Sequence, residues 1–320
     1  METEPVRADL ERALGRRVLA VNPIPEGHSG FTYFVDLEDG RAVLRLPPPG
    51  ARIAGPADIP RQGRIMDALS RRGLPVPTVL KMSEEPIVDG RPFVLVEAVD
   101  GERIEKVMGK ARPLEIAASA VEVLRRLHAV PVAETGLGEE PAQPLAAELA
   151  RWGWLMERAP EELTGRAPEL AELLGGRVPD ERPPTLVHGD YHYGNMLFRG
   201  PQVVAVLDWE IAQLGQPLLD LACQCVVAQA ARSSDPRISV PGGGSVDIPD
   251  EMLLQLYGGV GAEEFNWYLA LTYYKYASIL GYNLMLHRRG KRPDPIYEGR
   301  TVTIVQFIEE GIRLLGGTKA

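Results

Sequence analysis

The chain has 320 residues, 45% of them hydrophobic, which is enough for two lobes that each bury a core. The formal net charge is -9 and no aromatic-basic interleaving occurs, so we expect no nucleic-acid partner. No apolar run approaches the roughly 18 residues of a membrane helix, and the start lacks signal-peptide order, so no membrane association is expected. The only cysteines, Cys223 and Cys225, are one residue apart and cannot staple a fold, which favours a cytoplasmic setting.

The first hundred residues predict a small β-rich lobe. Charged and apolar positions alternate over 6–20 as in a helix or a helix followed by a strand. Two β-prone runs flank Asp39-Gly40, which predicts a hairpin. The predicted strands and the one helix of this part are, in chain order, strand 31–35, strand 42–46, helix 61–72, strand 77–82 and strand 92–99.

After Asp100-Gly101 the pattern becomes mainly helical. Apolar residues recur at about 3.6-residue spacing over 117–127, which predicts an amphipathic helix. Further helical segments are predicted at 142–176, 262–288 and 296–315, with a loop at 231–249. We therefore predict an α+β chain with a β-rich lobe at 1–97 and a larger helical lobe at 98–320.

Three polar side chains in the second lobe have the spacing of a phosphoryl-transfer site. Asp190 follows a short apolar strand, Asn195 comes five positions later, and Asp208 ends the strand after that. Kinases use an Asp to orient the acceptor hydroxyl, and an Asn and a second Asp to hold metal ions on the phosphates. The order, spacing and strand context together predict a kinase.

These residues also resemble a known family. The stretches His188–Asn195, Asp208–Glu210 and Gly215–Ala222 resemble the aminoglycoside phosphotransferase and choline-kinase-like superfamily of small-molecule kinases. They are most similar to the phosphotransferase domain that is also found fused to acyl-CoA dehydrogenases. The resemblance runs from about Asn22 to Leu315 and implies a bilobal protein-kinase-like fold that uses ATP or GTP with Mg²⁺.

The resemblance implies a role for each residue of the second-lobe pattern. Asp190 would be the catalytic base or the hydroxyl-orienting group, and His188 would brace its loop through a buried hydrogen bond. Asn195 and Asp208 would bind magnesium, and Asp220 would tether the loop from the next helix. Only 12 positions separate Asp208 from Asp220, which leaves no room for a long phosphorylatable loop and argues against a protein kinase.

The nucleotide would bind to the first lobe. The positions that the resemblance implies for it are Gly27, Ser29, Gly30, Arg45, Gln62, Glu97 and Val99. The two glycines would let the backbone approach phosphate, and Arg45 would contact the α- and β-phosphates. Gln62 stands where the family has a Glu, so it can hydrogen-bond Arg45 but cannot neutralise it. Backbone groups near Glu97 and Val99 would contact adenine.

The acceptor is predicted to be a small hydroxylated molecule that contacts the late helices. Tyr274, Lys275 and Asn283 are aromatic or polar positions at helical spacing there, and we predict substrate contacts at them. The segment lacks the dense acidic cluster that would suit a polycationic aminoglycoside. A hydroxy acid or a hydroxyacyl-CoA is therefore expected at least as much as an aminoglycoside antibiotic.

Two readings outside the kinases stay open on the sequence. A metallohydrolase could use His188, Asp190 and His192, which would share one face of an extended segment. A non-catalytic binding protein of kinase fold is supported only by Gln62, since Asp190, Asn195 and Asp208 are all present.

Overall fold

A computed structural model describes residues 3–24, 31–235, 237–240, 242–244 and 246–316. The first part of the chain contains one antiparallel sheet and two helices. Its elements are α1 (Glu4–Leu14), β1 (Val18–Pro23), β2 (Phe31–Leu37), β3 (Gly40–Leu46), α2 (Ile59–Arg71), β4 (Val79–Val88) and β5 (Arg91–Glu97).

The five strands pair in the order β1-β2-β3-β5-β4. β2 and β3 form the predicted hairpin, in which Leu37 pairs with Gly40 across a two-residue turn. Alternate residues of β2, such as Tyr33 and Val35, are buried, as expected for a strand with one face on a core. α1 covers this core with Val6 and Leu10.

The rest of the chain is mainly helical, with two small strand pairs. Its elements are α3 (Ile104–Val107), α4 (Pro113–His128), α5 (Leu145–Met156), α6 (Glu161–Thr164), α7 (Ala167–Gly175), β6 (Thr185–Val187), β7 (Met196–Arg199), β8 (Gln202–Val206), β9 (Gln213–Gly215), α8 (Leu218–Ala231), α9 (Asp250–Tyr257), α10 (Ala262–Arg288) and α11 (Thr301–Leu314). β6 pairs with β9, and β7 pairs with β8 as an antiparallel hairpin.

α10 is the central helix of this part. It is apolar nearly all round and packs against α5, α8 and α11, as expected for a helix enclosed by others. The predicted helix at 296–315 differs in detail, because a 3₁₀ turn at Pro295–Arg300 precedes α11. None of the helices that the structure describes has the length and apolar character to cross a membrane.

The segment after β5 joins the sheet to the helical part. Glu102 pairs with Phe198 of β7 through two backbone hydrogen bonds of 2.8 Å. Gly101 lies against β7 so closely that a Cβ there would be 2.9 Å from the Cβ of Leu197. This contact fixes the junction directly beside the hairpin that carries Asn195 and Asp208 at its ends.

Candidate active site

The loop at 188–195 is anchored by one buried carboxylate. Asp220, in the first turn of α8, is fully buried and accepts the backbone N–H groups of His188 at 2.7 Å and Gly189 at 2.8 Å. His128 approaches the same carboxylate with Nε2 at 3.2 Å, and its Nδ1 lies 2.8 Å from the Tyr257 hydroxyl. Because a carboxylate that accepts several donors is held tightly, this network fixes where the loop begins.

His188 links the loop to the end of β8. Its Nδ1 accepts the backbone N–H of Asp190, so the neutral ring carries its proton on Nε2 and donates it to the Leu207 carbonyl at 2.8 Å. Burial lowers the pKa of His188, and its ring packs edge-on against Trp209 at 4.6 Å between centroids. A neutral, fully buried imidazole therefore joins the residues just before Asp208 to those just before Asp190.

Asp190 presents an ionised carboxylate at the surface of the loop. Its side chain is 29% exposed. Tyr276 of α10 donates to Oδ1 at 2.7 Å, while Asn195 Nδ2 lies 3.0 Å and His192 Nε2 3.3 Å from Oδ2. Burial alone would raise the pKa of Asp190, but the adjacent His192 and the charge of Lys275 hold it well below its ordinary value.

Asp208 is held in a left-handed backbone conformation beside Asn195. Its φ is 65°, and Asp89 is the one other non-glycine residue of the described ranges with positive φ. The backbone N–H of Leu207 donates to the Asn195 carbonyl at 2.8 Å, which brings the two ends of the hairpin together. Strain of this kind concentrates at functional sites, and the Asp208 side chain is 41% exposed.

The donor set at this point fits magnesium. The Asn195 amide nitrogen donates to the carbonyl and carboxylate of Asp190, so its Oδ1 is the atom left to bind a cation. Together with the Asp208 carboxylate this would give two oxygen ligands, and magnesium in nucleotide sites takes one or two protein ligands plus water and phosphate oxygens.

The ligand set of a metallohydrolase does not form. Both ring nitrogens of His188 are already hydrogen-bonded, Nδ1 to the N–H of Asp190 and Nε2 to the carbonyl of Leu207. His192 Nδ1 accepts the backbone N–H of Gly194 at 3.1 Å, and its Nε2 faces Asp190. Throughout the described ranges, no three His, Cys, Asp or Glu side chains converge as a metal site. The geometry thus disfavours the metallohydrolase reading.

Arg45 reaches from the sheet to Asp208. It lies in β3, paired in register with Thr32 and Val94, and its Nη2 is 3.2 Å from Asp208 Oδ1. Its Nε is buried and has no hydrogen-bond partner among the residues that the structure describes. A buried donor without a partner is costly, so this atom fits an anionic ligand such as a phosphate.

The other predicted nucleotide positions have different surroundings. Gly27, Ser29 and Gly30 lie outside the described residues. Val99 lies just beyond β5, and no other described residue bonds its backbone N–H, whereas the N–H of Glu97 donates to Thr78 at 2.8 Å. Val99 is therefore the better placed of the two for an adenine contact through the amide.

Gln62 does not hydrogen-bond Arg45 in this structure, which differs from the sequence expectation. It is 1% exposed in α2, and its Nε2 donates to the Pro56 carbonyl at 3.0 Å. The turn at Gly55–Ala57 lies directly before α2 and brings that carbonyl over the first turn of the helix. The Nε2 group of Gln62 is therefore used within the lobe.

The structure places all three predicted acceptor residues in the interior. Lys275 is 5% exposed; its Nζ contacts the Gly189 carbonyl and lies 3.3 Å from Cys223 Sγ, beneath the loop. Burial alone would lower the pKa of Lys275, but Cys223 and Asp190 raise it overall, so the amine stays charged. Tyr274 is also buried, with its hydroxyl beside Gly153 of α5. Neither group faces an open cleft.

Asn283, the third predicted acceptor residue, lies two turns beyond Tyr276 on α10. Its Oδ1 accepts from Arg292 at 3.0 Å and its Nδ2 donates to the Ile279 carbonyl. The contact of Tyr276 with Asp190 was not predicted. In the run Tyr273 to Tyr276 the sequence alone does not say which phenol faces the 188–195 loop.

Curated relatives of the chain are much longer proteins. Mouse acyl-CoA dehydrogenase family member 10 is 30% identical over 272 residues, which cover 79% of this chain and 25% of that protein. Chicken acyl-CoA dehydrogenase family member 11 is 29% identical over 283 residues, covering 82% of this chain and 36% of the relative. The chain therefore spans between 25% and 36% of the length of these two relatives.

Solved structures share the whole fold. A Ralstonia eutropha protein provisionally described as an aminoglycoside phosphotransferase matches with a TM-score of 0.79 at 24% identity, over 100% of this chain and 99% of that one. A thermostable mutant of an aminoglycoside phosphotransferase, determined with ADP and hygromycin B, matches with a TM-score of 0.64 at 16% identity. The match covers 94% of this chain and 98% of that one. The predicted α+β, bilobal, protein-kinase-like fold is confirmed.

The family follows from the sequence match. The model of the phosphotransferase enzyme family, APH, covers residues 20–257. That range includes most of the sheet, the 188–195 loop and Asp208, and it agrees with the resemblance seen in the sequence. The chain belongs to the phosphotransferase enzyme family.

Proposed function

We propose that this protein transfers the γ-phosphoryl group of ATP or GTP to a hydroxyl of a small molecule. One observation carries the proposal. The ionised, partly exposed carboxylate of Asp190 accepts a hydrogen bond from the side chain of Asn195. The backbone carbonyl of Asn195 in turn accepts the N–H of Leu207, the residue before the strained Asp208. The carboxylate that would orient the acceptor thus lies beside two oxygen groups that could bind a metal ion, the combination that phosphoryl transfer requires.

Each side chain has a defined task in this reaction. Asp190 would accept a hydrogen bond from the acceptor hydroxyl and take its proton as the new oxygen–phosphorus bond forms, while the nucleoside diphosphate leaves. Asn195 Oδ1 and the Asp208 carboxylate would hold Mg²⁺. When bound, that ion neutralises charge on the phosphate oxygens. Arg45 would donate its buried Nε–H to a phosphate.

The outer half of α10 supports an elongated, partly apolar acceptor. Beyond Tyr276, α10 carries three half-exposed side chains on one side of the helix, those of Ile279, Tyr282 and Leu286. The ring of the exposed Trp154 in α5 lies beside that of Tyr282, with 6.0 Å between the two ring centroids. Together these side chains offer an apolar and aromatic surface to an acyl chain.

Two positively charged side chains lie just beyond the C-terminal end of α10, next to this apolar surface. Arg289 and Lys291 are exposed, and no ion pair joins either of them to another described residue. At about 1.5 Å per residue, Arg289 lies roughly 20 Å from Tyr276 along α10. An anionic far end of the acceptor would find cations there, whereas a polycationic aminoglycoside would be repelled. A hydroxy acid or, better, a hydroxyacyl-CoA fits this arrangement, and the acyl-CoA dehydrogenase names of the relatives point the same way.

An aminoglycoside kinase is the second candidate. Its support is that neighbours of the same fold were determined with hygromycin B or kanamycin. The described surface of α10 favours the acyl acceptor, and a direct comparison of the two acceptor classes decides between them.

A phosphorylation screen tests the proposal. Purified protein with Mg²⁺ and γ-labelled ATP or GTP is offered hydroxy acids, hydroxyacyl-CoA thioesters, amino alcohols and aminoglycosides. We expect label transfer to a hydroxyacyl thioester or hydroxy acid, and its loss in Asp190→Asn. Transfer only to aminoglycosides would favour the second candidate. Nucleotide binding without transfer to any class would support a non-catalytic protein, and full transfer by Asp190→Asn would refute the mechanism.

A further inference from the structure

Tyr276 is the one residue of the helical core whose hydroxyl contacts the Asp190 carboxylate, among the residues described. Its phenol lies 2.7 Å from Oδ1. We propose that Tyr276 is a positioning residue, which fixes the Asp190 carboxylate so that Oδ1 is the oxygen presented to the acceptor hydroxyl. This inference rests on the proposed kinase function.

The hydrogen bonds already made by Asp190 single out Oδ1. Oδ2 lies within reach of two nitrogens, Asn195 Nδ2 at 3.0 Å and His192 Nε2 at 3.3 Å. Among the described residues, Oδ1 receives only the Tyr276 hydroxyl. Because each carboxylate oxygen offers about two lone-pair directions, Oδ1 keeps one for an incoming donor and Oδ2 is largely occupied. The direction of that remaining lone pair depends on where Tyr276 holds the carboxylate.

Tyr276 is itself held rigidly. It is 4% exposed in α10, and its neighbour Lys275 contacts the carbonyl of Gly189, the residue before Asp190. The Lys275 ammonium also lies 5.0 Å from the centre of the Tyr276 ring. Two consecutive residues of one buried helix thus hold the backbone and the carboxylate of the same loop. Support from a regular element keeps a reacting group within the small tolerance that catalysis requires.

The arrangement has a consequence for specificity. The same helix carries Tyr276 at Asp190 and, one to three turns further, the half-exposed Ile279, Tyr282 and Leu286. An acceptor lying along α10 would therefore be aligned by the element that also aligns the carboxylate. Loss of the Tyr276 hydroxyl should reduce transfer to the acceptor more than slow hydrolysis by water, which needs no such alignment.

Tyr276→Phe tests the role, with Tyr273→Phe as the matched control. Both changes remove one buried hydroxyl from α10, but the Tyr273 hydroxyl bonds Gln229, away from the 188–195 loop. We expect Tyr276→Phe to lower kcat for acceptor phosphorylation about tenfold or more, the scale of losing one hydrogen bond to a charged group. Its nucleotide KM and melting temperature should match those of Tyr273→Phe. Equal kcat in the two variants would overturn the inference.

A double-mutant cycle separates this inference from the proposed function. If Tyr276 acts through Asp190, Tyr276→Phe should change kcat less than about twofold in an Asp190→Asn background. Independent, multiplicative losses would show that Tyr276 does not work through the carboxylate, even though the kinase function stands. Full activity of Asp190→Asn alone would instead refute the kinase mechanism, and the positioning role with it.

Discussion

The guanidinium of Arg45 in β3 pairs with the carboxylate of Asp208, which lies just after β8, with Nη2 and Oδ1 3.2 Å apart. The two residues are 163 positions apart and belong to the sheet and the helical part, respectively. Each is also a predicted ligand, Arg45 for phosphate and Asp208 for magnesium. The pair therefore marks the point at which a metal–nucleotide complex would join the two lobes.

Replacement of Arg45 by Ala should weaken nucleotide binding. Arg45→Ala removes the buried Nε donor and a cation, so we expect the nucleotide KM to rise about tenfold, the scale of one charge-assisted hydrogen bond. Arg41→Ala is the control, because Arg41 lies in the same strand but is exposed and pairs with Asp36. The nucleotide KM of each variant is measured by steady-state kinetics at a saturating concentration of the acceptor. An equal KM in the two variants would show that Arg45 does not contact phosphate.

Asp208→Asn should abolish turnover without unfolding the protein. Asn tolerates the left-handed backbone of this position, whereas the loss of charge removes the stronger of the two proposed metal ligands. We expect kcat to fall by about 10² or more, with a weaker response to Mg²⁺. Asp89→Asn makes the same change at the other positive-φ aspartate, which lies in the β4–β5 turn and contacts Asp9 and Arg91, and this variant should keep its turnover. Near-normal activity of Asp208→Asn would exclude Asp208 as a ligand.

The sequence predicted those parts of the site whose geometry is local. The spacing of Asp190, Asn195 and Asp208 depends on one short loop and one hairpin, so it can be recognised along the chain. The β2–β3 hairpin was predictable for the same reason, since a two-residue turn with Gly40 sets its register. Contacts between residues that are close along the chain are visible in the sequence as a fixed spacing of residue types.

Contacts between distant elements left no such pattern. Tyr276, Lys275 and Tyr274 lie in one apolar, aromatic helix, and which of them meets the loop depends on how α10 is rotated among its neighbours. The sequence therefore predicts that Lys275 contacts the acceptor, whereas in the structure Lys275 is buried and contacts the Gly189 carbonyl. The sequence does not predict the strand β9, because Gln213–Gly215 holds one apolar residue between Gln and Gly, whereas the equally short β6 is an apolar run.

Gly194→Ala should disturb the metal site through a neighbouring loop. A Cβ at this position would lie 1.6 Å from the Gly242 carbonyl oxygen, and the Gly194 N–H donates to Gly243 at 2.9 Å. Because the contact is backbone against backbone, the loop must shift, and Asn195 next to it should move as well. We expect lower thermal stability and weaker Mg²⁺-dependent nucleotide binding, measured by melting and titration. Gly175→Ala, where a Cβ meets nothing within 4 Å, is the control and should bind normally.

Asp220→Asn tests whether the 188–195 loop depends on its buried anchor. The Asp220 carboxylate accepts two backbone N–H groups, one on each oxygen, and lies 3.2 Å from His128. An amide keeps one acceptor oxygen but turns an NH₂ group toward the other N–H donor, so one buried donor loses its partner and faces a second donor. The expected loss of unfolding free energy is about 1–3 kcal/mol.

The same change should also slow the reaction. His188 and Gly189 immediately precede Asp190, so a shift of their backbone moves the orienting carboxylate, and displacements of about 1 Å can cost about 10² in rate. Denaturant titration gives the stability, and kcat at a temperature where the variant is fully folded gives the rate. A variant that is less stable but has wild-type kcat would show that Asp220 supports the fold alone. Wild-type values of both would show that the loop holds its conformation without the carboxylate.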